Sequence, residues 1–179
     1  KDKPPTFSYI YEETNDWIVD FNKTILIKLC NNKNKSSLIK LKLLLKHKKL
    51  DINYKLKNKY KTNGLSALIN ASYFKINILK ELLKHPNINV NISFKSNSAL
   101  HFAIYHNCIN NAKLLLNNPN ININKKGLKG NTPLHAAIIK SKYNNSFTTI
   151  VSRLLNINNI KINQHNYYGF SPLHLAVEF

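Results

Sequence analysis

One six-residue pattern returns along the chain in a fixed phase, and nothing else in the sequence limits the fold as tightly. The copies are Ser66-Ala67-Leu68-Ile69-Asn70-Ala71, Ser98-Ala99-Leu100-His101-Phe102-Ala103, Thr132-Pro133-Leu134-His135-Ala136-Ala137 and Ser171-Pro172-Leu173-His174-Leu175-Ala176. A degraded copy opens as Thr24-Ile25-Leu26-Ile27, so starts at 24, 66, 98, 132 and 171 lie 42, 32, 34 and 39 residues apart. A leucine run follows every copy except the last, at Leu43-Leu44-Leu45, Leu82-Leu83, Leu114-Leu115-Leu116 and Leu154-Leu155. Each run gives way to an Asn/Ile tail such as Pro86-Asn87-Ile88-Asn89-Val90-Asn91. The unit reads as a short helix, a turn and a second helix ending in the leucines. One such pair cannot bury its apolar face alone, so neighbouring units must stack into a continuous core.

The hexamers resemble the ankyrin repeat, whose T-P-L-H-x-A motif opens the first helix of a unit of about 33 residues. The resemblance spans 22–179. Gly64, Gly130 and Gly169 each stand two residues before the hexamer's Ser or Thr, where the family needs a turn conformation cheap only for glycine. Pro133 and Pro172 fall at the first helical position, where a missing N–H costs nothing, and Ser or Thr before them is the expected N-cap. The implied fold is an all-α ankyrin-repeat solenoid with β-hairpin or loop fingers and about four and a half repeats. Its units run approximately 22–61, 62–93, 94–127, 128–166 and a partial 167–179. His101, His135 and His174, at the hexamer's fourth position, are implied to hydrogen-bond backbone loops. Departures carry their own expectations. Ser96 stands for the finger glycine of the third unit and should loosen that turn. Asn107, where the family favours Gly, should adopt the left-handed conformation that Asn tolerates. About six extra residues between Ser141 and Thr149 should lengthen an exposed loop. The last unit stops inside its first helix at Phe179, leaving either an apolar face open to self-association or a missing C-terminal cap.

Residues 1–21 fall outside the repeat and hold five of the eight acids, Asp2, Glu12, Glu13, Asp16 and Asp20, with the only Trp. They read as an N-terminal cap over the first unit, the alternative being a linear motif for another protein. The formal net charge is +19, and of 27 basic residues Arg153 alone is arginine. Lys, Asn and Ile share A/T-rich codons, so genome composition accounts for part of this excess. Residues 23–61 hold thirteen lysines against one acid, Asp51. Lys42, Lys46, Lys48 and Lys49 there form a candidate polyanion-binding set for nucleic acid or an acidic surface. Lysines supply point charges without bidentate base reading, so such binding should be weak, salt-sensitive and sequence-blind.

No carrier of catalysis is visible, so the chain reads as non-enzymatic, with no metal and no cofactor. Cys30 and Cys108 lack CxxC spacing and suit neither a disulfide framework nor zinc, which points to a reducing intracellular site of action. The hexamer histidines lie along a row, whereas metal ligands must converge. No Ser/His/Asp arrangement or glycine-rich phosphate loop occurs. No apolar run approaches the roughly 20 residues of a membrane span. The A/T bias and the absent start methionine suit an effector secreted by a parasite into a host cell.

The resemblance implies a protein partner gripped by the finger tips and the concave side of the first helices. The matching positions are Tyr73 and Phe74; Phe94, Lys95, Tyr105 and His106; Lys129, Ile139 and Lys140; and Tyr167, Tyr168 and Phe170. Mixed Lys and aromatic side chains suit an acidic, partly apolar protein segment, and also single-stranded nucleic acid stacking on the rings.

Overall fold

A computed structural model describes residues 25–30, 36–55, 64–73 and 75–178. The N-terminal segment 1–21, Phe74 and Phe179 lie outside the described residues. The helices are α1 (25–30), α2 (Ser36–Leu44), α3 (Ala67–Ser72), α4 (Ile76–Leu83), α5 (Ala99–Tyr105), α6 (Ile109–Leu116), α7 (Pro133–Ser141), α8 (Thr148–Leu155) and α9 (Pro172–Glu178). They stack in two rows. In one, α3, α5, α7 and α9 pack successively, each opened by a hexamer; in the other, α2, α4, α6 and α8 do the same. Within a unit, α3 packs on α4, α5 on α6 and α7 on α8. The fold is an all-α repeat solenoid.

Local chemistry starts each first-row helix. Ser66 Oγ accepts from the Ile69 N–H at 3.3 Å, and Thr132 Oγ1 accepts from the His135 N–H at 3.5 Å with Pro133 at the first helical position. Every residue of α3 is buried, whereas the second row buries a stripe at helical spacing: Leu79 and Leu82, Ala112 and Leu115, Ile150 and Leu154. Each buried leucine or isoleucine contributes about 1.5–3 kcal/mol. The second row also closes the first row's helix ends. Asn111 Nδ2 donates to the carbonyls of Ala71 and Ser72 at 3.3 and 2.9 Å, and Cys108 Sγ donates to that of Tyr73 at 3.0 Å.

The asparagines of the tails fasten one repeat to the next. Asn53 donates from Nδ2 to the Asn87 carbonyl at 2.8 Å, and its Oδ1 accepts from the Asn89 N–H at 2.8 Å. Asn91 brackets Asn120 and Asn122 the same way at 2.8 and 2.7 Å. Asn124 brackets Asn159 and Lys161, both at 2.8 Å. Only an amide side chain offers donor and acceptor in that geometry. Part of the Asn excess is therefore structural as well as compositional. Asn124→Ala should cost about 0.5–1.5 kcal/mol per lost bond, because both bonds are exposed and water takes up the freed backbone groups, and Asn124→Asp should lose the donated bond alone. Urea melts check both.

Two expectations are corrected. Ser96 does not loosen its finger. Lys95 and Ser96 adopt φ of 46° and 68°, the consecutive left-handed pair of a primed turn, and close an antiparallel ladder of β1 (Ser93–Phe94) and β2 (Asn97–Ser98). The cost is conformational strain, so Ser96→Gly should stabilise the chain by roughly 1 kcal/mol, read as a raised melting temperature. Asn107, by contrast, has φ of 61°, as its type allows. The second correction concerns the insertion before α8. Tyr143 is exposed, but a short 3-10 turn at Asn145–Phe147 carries Phe147 into the core, where it is fully buried.

Candidate protein-binding face

The fingers and the first-row helices build the side on which the predicted contact residues fall. Tyr73 ends α3 half-buried, its ring 4.7 Å from His106 and 5.8 Å from Phe102, centroid to centroid. Phe94, on the β-finger, lies 6.1 Å from Phe102, and Phe102 lies 6.1 Å from His106 with planes only 6° apart. Tyr73, Phe94, Phe102 and His106 thus form one ring cluster across the second and third units, with Lys95 Nζ 5.5 Å above Phe94. His106 and Lys95 are exposed, while the other three rings are half-buried. Tyr105 is half-buried, hydrogen-bonded to the Asn131 side chain, and burial pushes its phenol above the ordinary range. Burial pushes the Tyr73 phenol the same way.

A second group occupies the tips of the next fingers. Lys129 has φ of 59° and its Nζ stands 5.7 Å from the Tyr168 ring; Lys126 stands 5.5 Å from Tyr167. Tyr167 and Tyr168 are 71% and 62% exposed, enough for either ring to be taken up by a partner, and Phe170 is partly exposed beside His174. Ile139 and Lys140 are half-buried on α7. Neighbouring fingers are tied by Asn97 Oδ1, which accepts from the Leu128 N–H at 2.9 Å, by Tyr167 N–H to the Lys129 carbonyl at 3.0 Å, and by Asn166 Nδ2 to Asn131 Oδ1 at 2.9 Å.

The hexamer histidines set this side's rigidity. His101 Nε2 lies 2.9 Å from the Asn131 carbonyl and His135 Nε2 3.0 Å from that of Phe170, each reaching the following finger. A carbonyl can only accept, so Nε2 carries the proton; Nδ1 is left to accept from the Ser98 N–H at 3.3 Å in one case and the Thr132 N–H at 3.2 Å in the other. Burial holds His101 down at about 4, against weaker opposition from its Asn131 bond, and burial also lowers His135. The His174 Nδ1 accepts from the Ser171 N–H at 3.2 Å. Gly130 and Gly169 have φ of 74° and 80°, while Gly64 is half-buried. The glycine outside the repeat phase, Gly127, answers a different need: a Cβ there would lie 2.5 Å from Asn97 Oδ1 and 2.8 Å from the His101 ring. Pro133 and Pro172 open α7 and α9, both buried.

Among the described residues no group of three His, Cys, Asp or Glu could hold a metal ion, and no helix is long and apolar enough to cross a membrane. Burial pushes the Cys30 thiol up to about 12, so it stays protonated and non-nucleophilic at neutral pH. A family model of ankyrin repeats in three copies matches residues 40–127 and again 100–179. The chain belongs to the ankyrin-repeat family. Ankyrin repeats are general protein–protein interaction modules, typically non-enzymatic scaffolds. No curated protein matches the sequence. Within this ankyrin-repeat chain, two features of the face escaped the sequence reading, Phe102 and Lys126. Phe102 takes the hexamer's fifth position, where the other copies have Asn70, Ala136 and Leu175, and that lone aromatic was the available signal.

Proposed function

We propose that the finger tips and first-row helices bind a partner protein presenting an acidic, partly apolar segment. The observation that supports this reading is the ring cluster of Tyr73, Phe94, Phe102 and His106, with His106 exposed, the other three rings half-buried and Lys95 beside Phe94. Rings already held in place lose little conformational freedom on binding, and Tyr is a frequent interface anchor. The described residues carry only three acids, Asp51, Glu81 and Glu178, and Lys95 Nζ stands 5.5 Å from the Phe94 ring, so the charge beside the cluster is positive. The exposed pair Tyr167 and Tyr168 extends the same surface.

The test is affinity capture with the whole chain and with Tyr73→Ala and Tyr167→Ala/Tyr168→Ala variants, after nuclease treatment. A discrete protein should be held by the parent and lose affinity by tenfold or more, about 2 kcal/mol, in each variant, with unchanged thermal melts. Equal retention by parent and variants would overturn the assignment. A second reading, self-association through the last repeat, rests on Leu155, Ile162 and Leu173, which stand exposed at a groove of about 780 Å³ between α7, α8 and α9. Lys142 is the one charged residue lining that groove, so two +19 copies would meet there with little local repulsion. A single monomeric mass across a concentration series in sedimentation equilibrium would remove it.

A further inference from the structure

The second-row helices carry a feature that protein binding by the fingers leaves unused. Lys42, Lys80 and Lys113 each stand eleven residues before a bracketing asparagine (42 to 53, 80 to 91, 113 to 124), and Lys46 and Lys84 stand seven before theirs (46 to 53, 84 to 91). Because the asparagines fix the register between repeats, these lysines recur at matching positions on α2, α4 and α6, which pack in succession. At the α2–α4 junction Lys42, Lys46 and Lys84 line a shallow cleft of about 370 Å³ together with His85 and Glu81. Glu81 is committed: its Oε1 lies 2.9 Å from Lys84 Nζ and 3.9 Å from Lys42 Nζ, and the Lys84 bond holds its carboxyl below the ordinary range. Three lysines against one carboxylate leave the cleft positive. Lys42 and Lys84 remain mostly exposed, and Lys48 and Lys49 follow on the turn after α2, with no acid in ion-pair range among the described residues.

We propose that this cleft and its flanking lysines hold the phosphodiester backbone of a nucleic acid without reading its sequence. The cleft offers cations in a row but only Leu45 and Pro86 as apolar lining, so it matches a run of regularly spaced charges and gives the apolar side chains of a peptide little to bury. No Phe, Tyr or Trp lines it and His85 is its one aromatic ring, so successive bases have no stacking platform and a single strand gains little over a duplex. Ammonium groups on flexible stems contact phosphate as point charges and carry no base code. The cleft lies on the second row, away from the finger cluster, so this proposal and the protein-binding reading stand or fall separately.

Fluorescence anisotropy of the whole chain with two labelled duplexes of unrelated sequence, over a salt series, tests it. Both duplexes should bind with the same affinity, within about twofold, and the affinity should fall steeply with salt. Lys42→Gln/Lys46→Gln/Lys84→Gln should lower the slope of log affinity against log salt by roughly 2–3 and weaken binding by about tenfold or more. Lys95→Gln/Lys129→Gln/Lys140→Gln removes the same charge from the finger side and should change the slope far less. Equal losses in the two triple variants would overturn the proposal in favour of diffuse net charge. Displacement of the duplex by polyglutamate at matched charge concentration would overturn it in favour of an acidic protein. Thermal melts of both variants verify that each remains folded.

Discussion

Replacing Phe147 with alanine is expected to lower the free energy of unfolding by about 3–5 kcal/mol, a large share of the 5–15 kcal/mol typical of a whole domain. Phe147 is the largest fully buried side chain among the described residues, and it sits immediately before α8, at the position that Lys75 and Cys108 hold before α4 and α6. The turn that delivers it is built for the purpose. Asn144 Oδ1 accepts from the Ser146 N–H at 3.0 Å, the Phe147 N–H donates to the Asn144 carbonyl at 3.0 Å, and the Thr148 and Thr149 hydroxyls donate to the carbonyls of Asn145 and Ser146 at 2.7 and 2.8 Å. A backbone held by four local bonds cannot readily collapse into the vacated space, which places the cost toward the upper part of the range. Phe147→Leu should retain most of the stability. Urea denaturation of the three proteins decides the matter, and a loss below about 1 kcal/mol for Phe147→Ala would mean that the insertion is a surface loop after all.

Phe147 also shows where sequence reasoning stops. The helices of the first row were legible because their determinants are local and repeated: Ser66 and Thr132 cap, Pro133 opens, and the apolar positions recur at helical spacing. An insertion has no second copy to align with, so an aromatic inside it carries no phase, and composition alone reads it as loop. The bracketing asparagines were hidden for the opposite reason. Asn is so abundant that Asn53, Asn91 and Asn124 do not stand out, and their function depends on partners 29 to 37 residues away in the adjoining repeat. Gly127 belongs to the same class, since its need for a missing Cβ arises from Asn97 and His101, far back along the chain in the same unit. On the candidate face, in-phase recurrence pointed to Tyr73 and Tyr105, whereas the ring that joins Phe94 to Tyr73 and His106 is Phe102, assigned beforehand only to the helix-opening motif. Repetition makes the scaffold readable; contacts between unlike repeats, which give a binding face its individuality, have to be seen.

The chain should lose stability steadily as pH falls from about 6.5 to about 4, and His101 should carry much of that loss. Its folded value is held at about 4 by burial, against the ordinary 6.5. Between those values the unfolded chain binds a proton that the folded chain refuses, so acidification favours unfolding. Above 6.5 both states are neutral at this site and its contribution is fully present; below 4 both are protonated and the loss is complete. One proton over that interval corresponds to roughly 3 kcal/mol, at 1.36 kcal/mol per pH unit. The geometry explains why the folded state refuses. A second proton would sit on Nδ1 and displace the bond accepted from the Ser98 N–H at 3.3 Å; Ser98 Oγ at 2.8 Å is its one acceptor there, and the charged ring would stay buried with no acid beside it among the described residues. His135 is arranged the same way and shifts in the same direction, adding to the slope. Glu81, the acid whose pairing is lost on acidification, pairs with a lysine that is 71% exposed and contributes little. Urea midpoints between pH 4 and 7.5 measure the effect. His101→Gln should be less stable than the parent at pH 7.5, because it cannot reproduce both ring bonds, yet its stability should vary less with pH. An unchanged pH slope in that variant would place the titrating groups elsewhere in the chain.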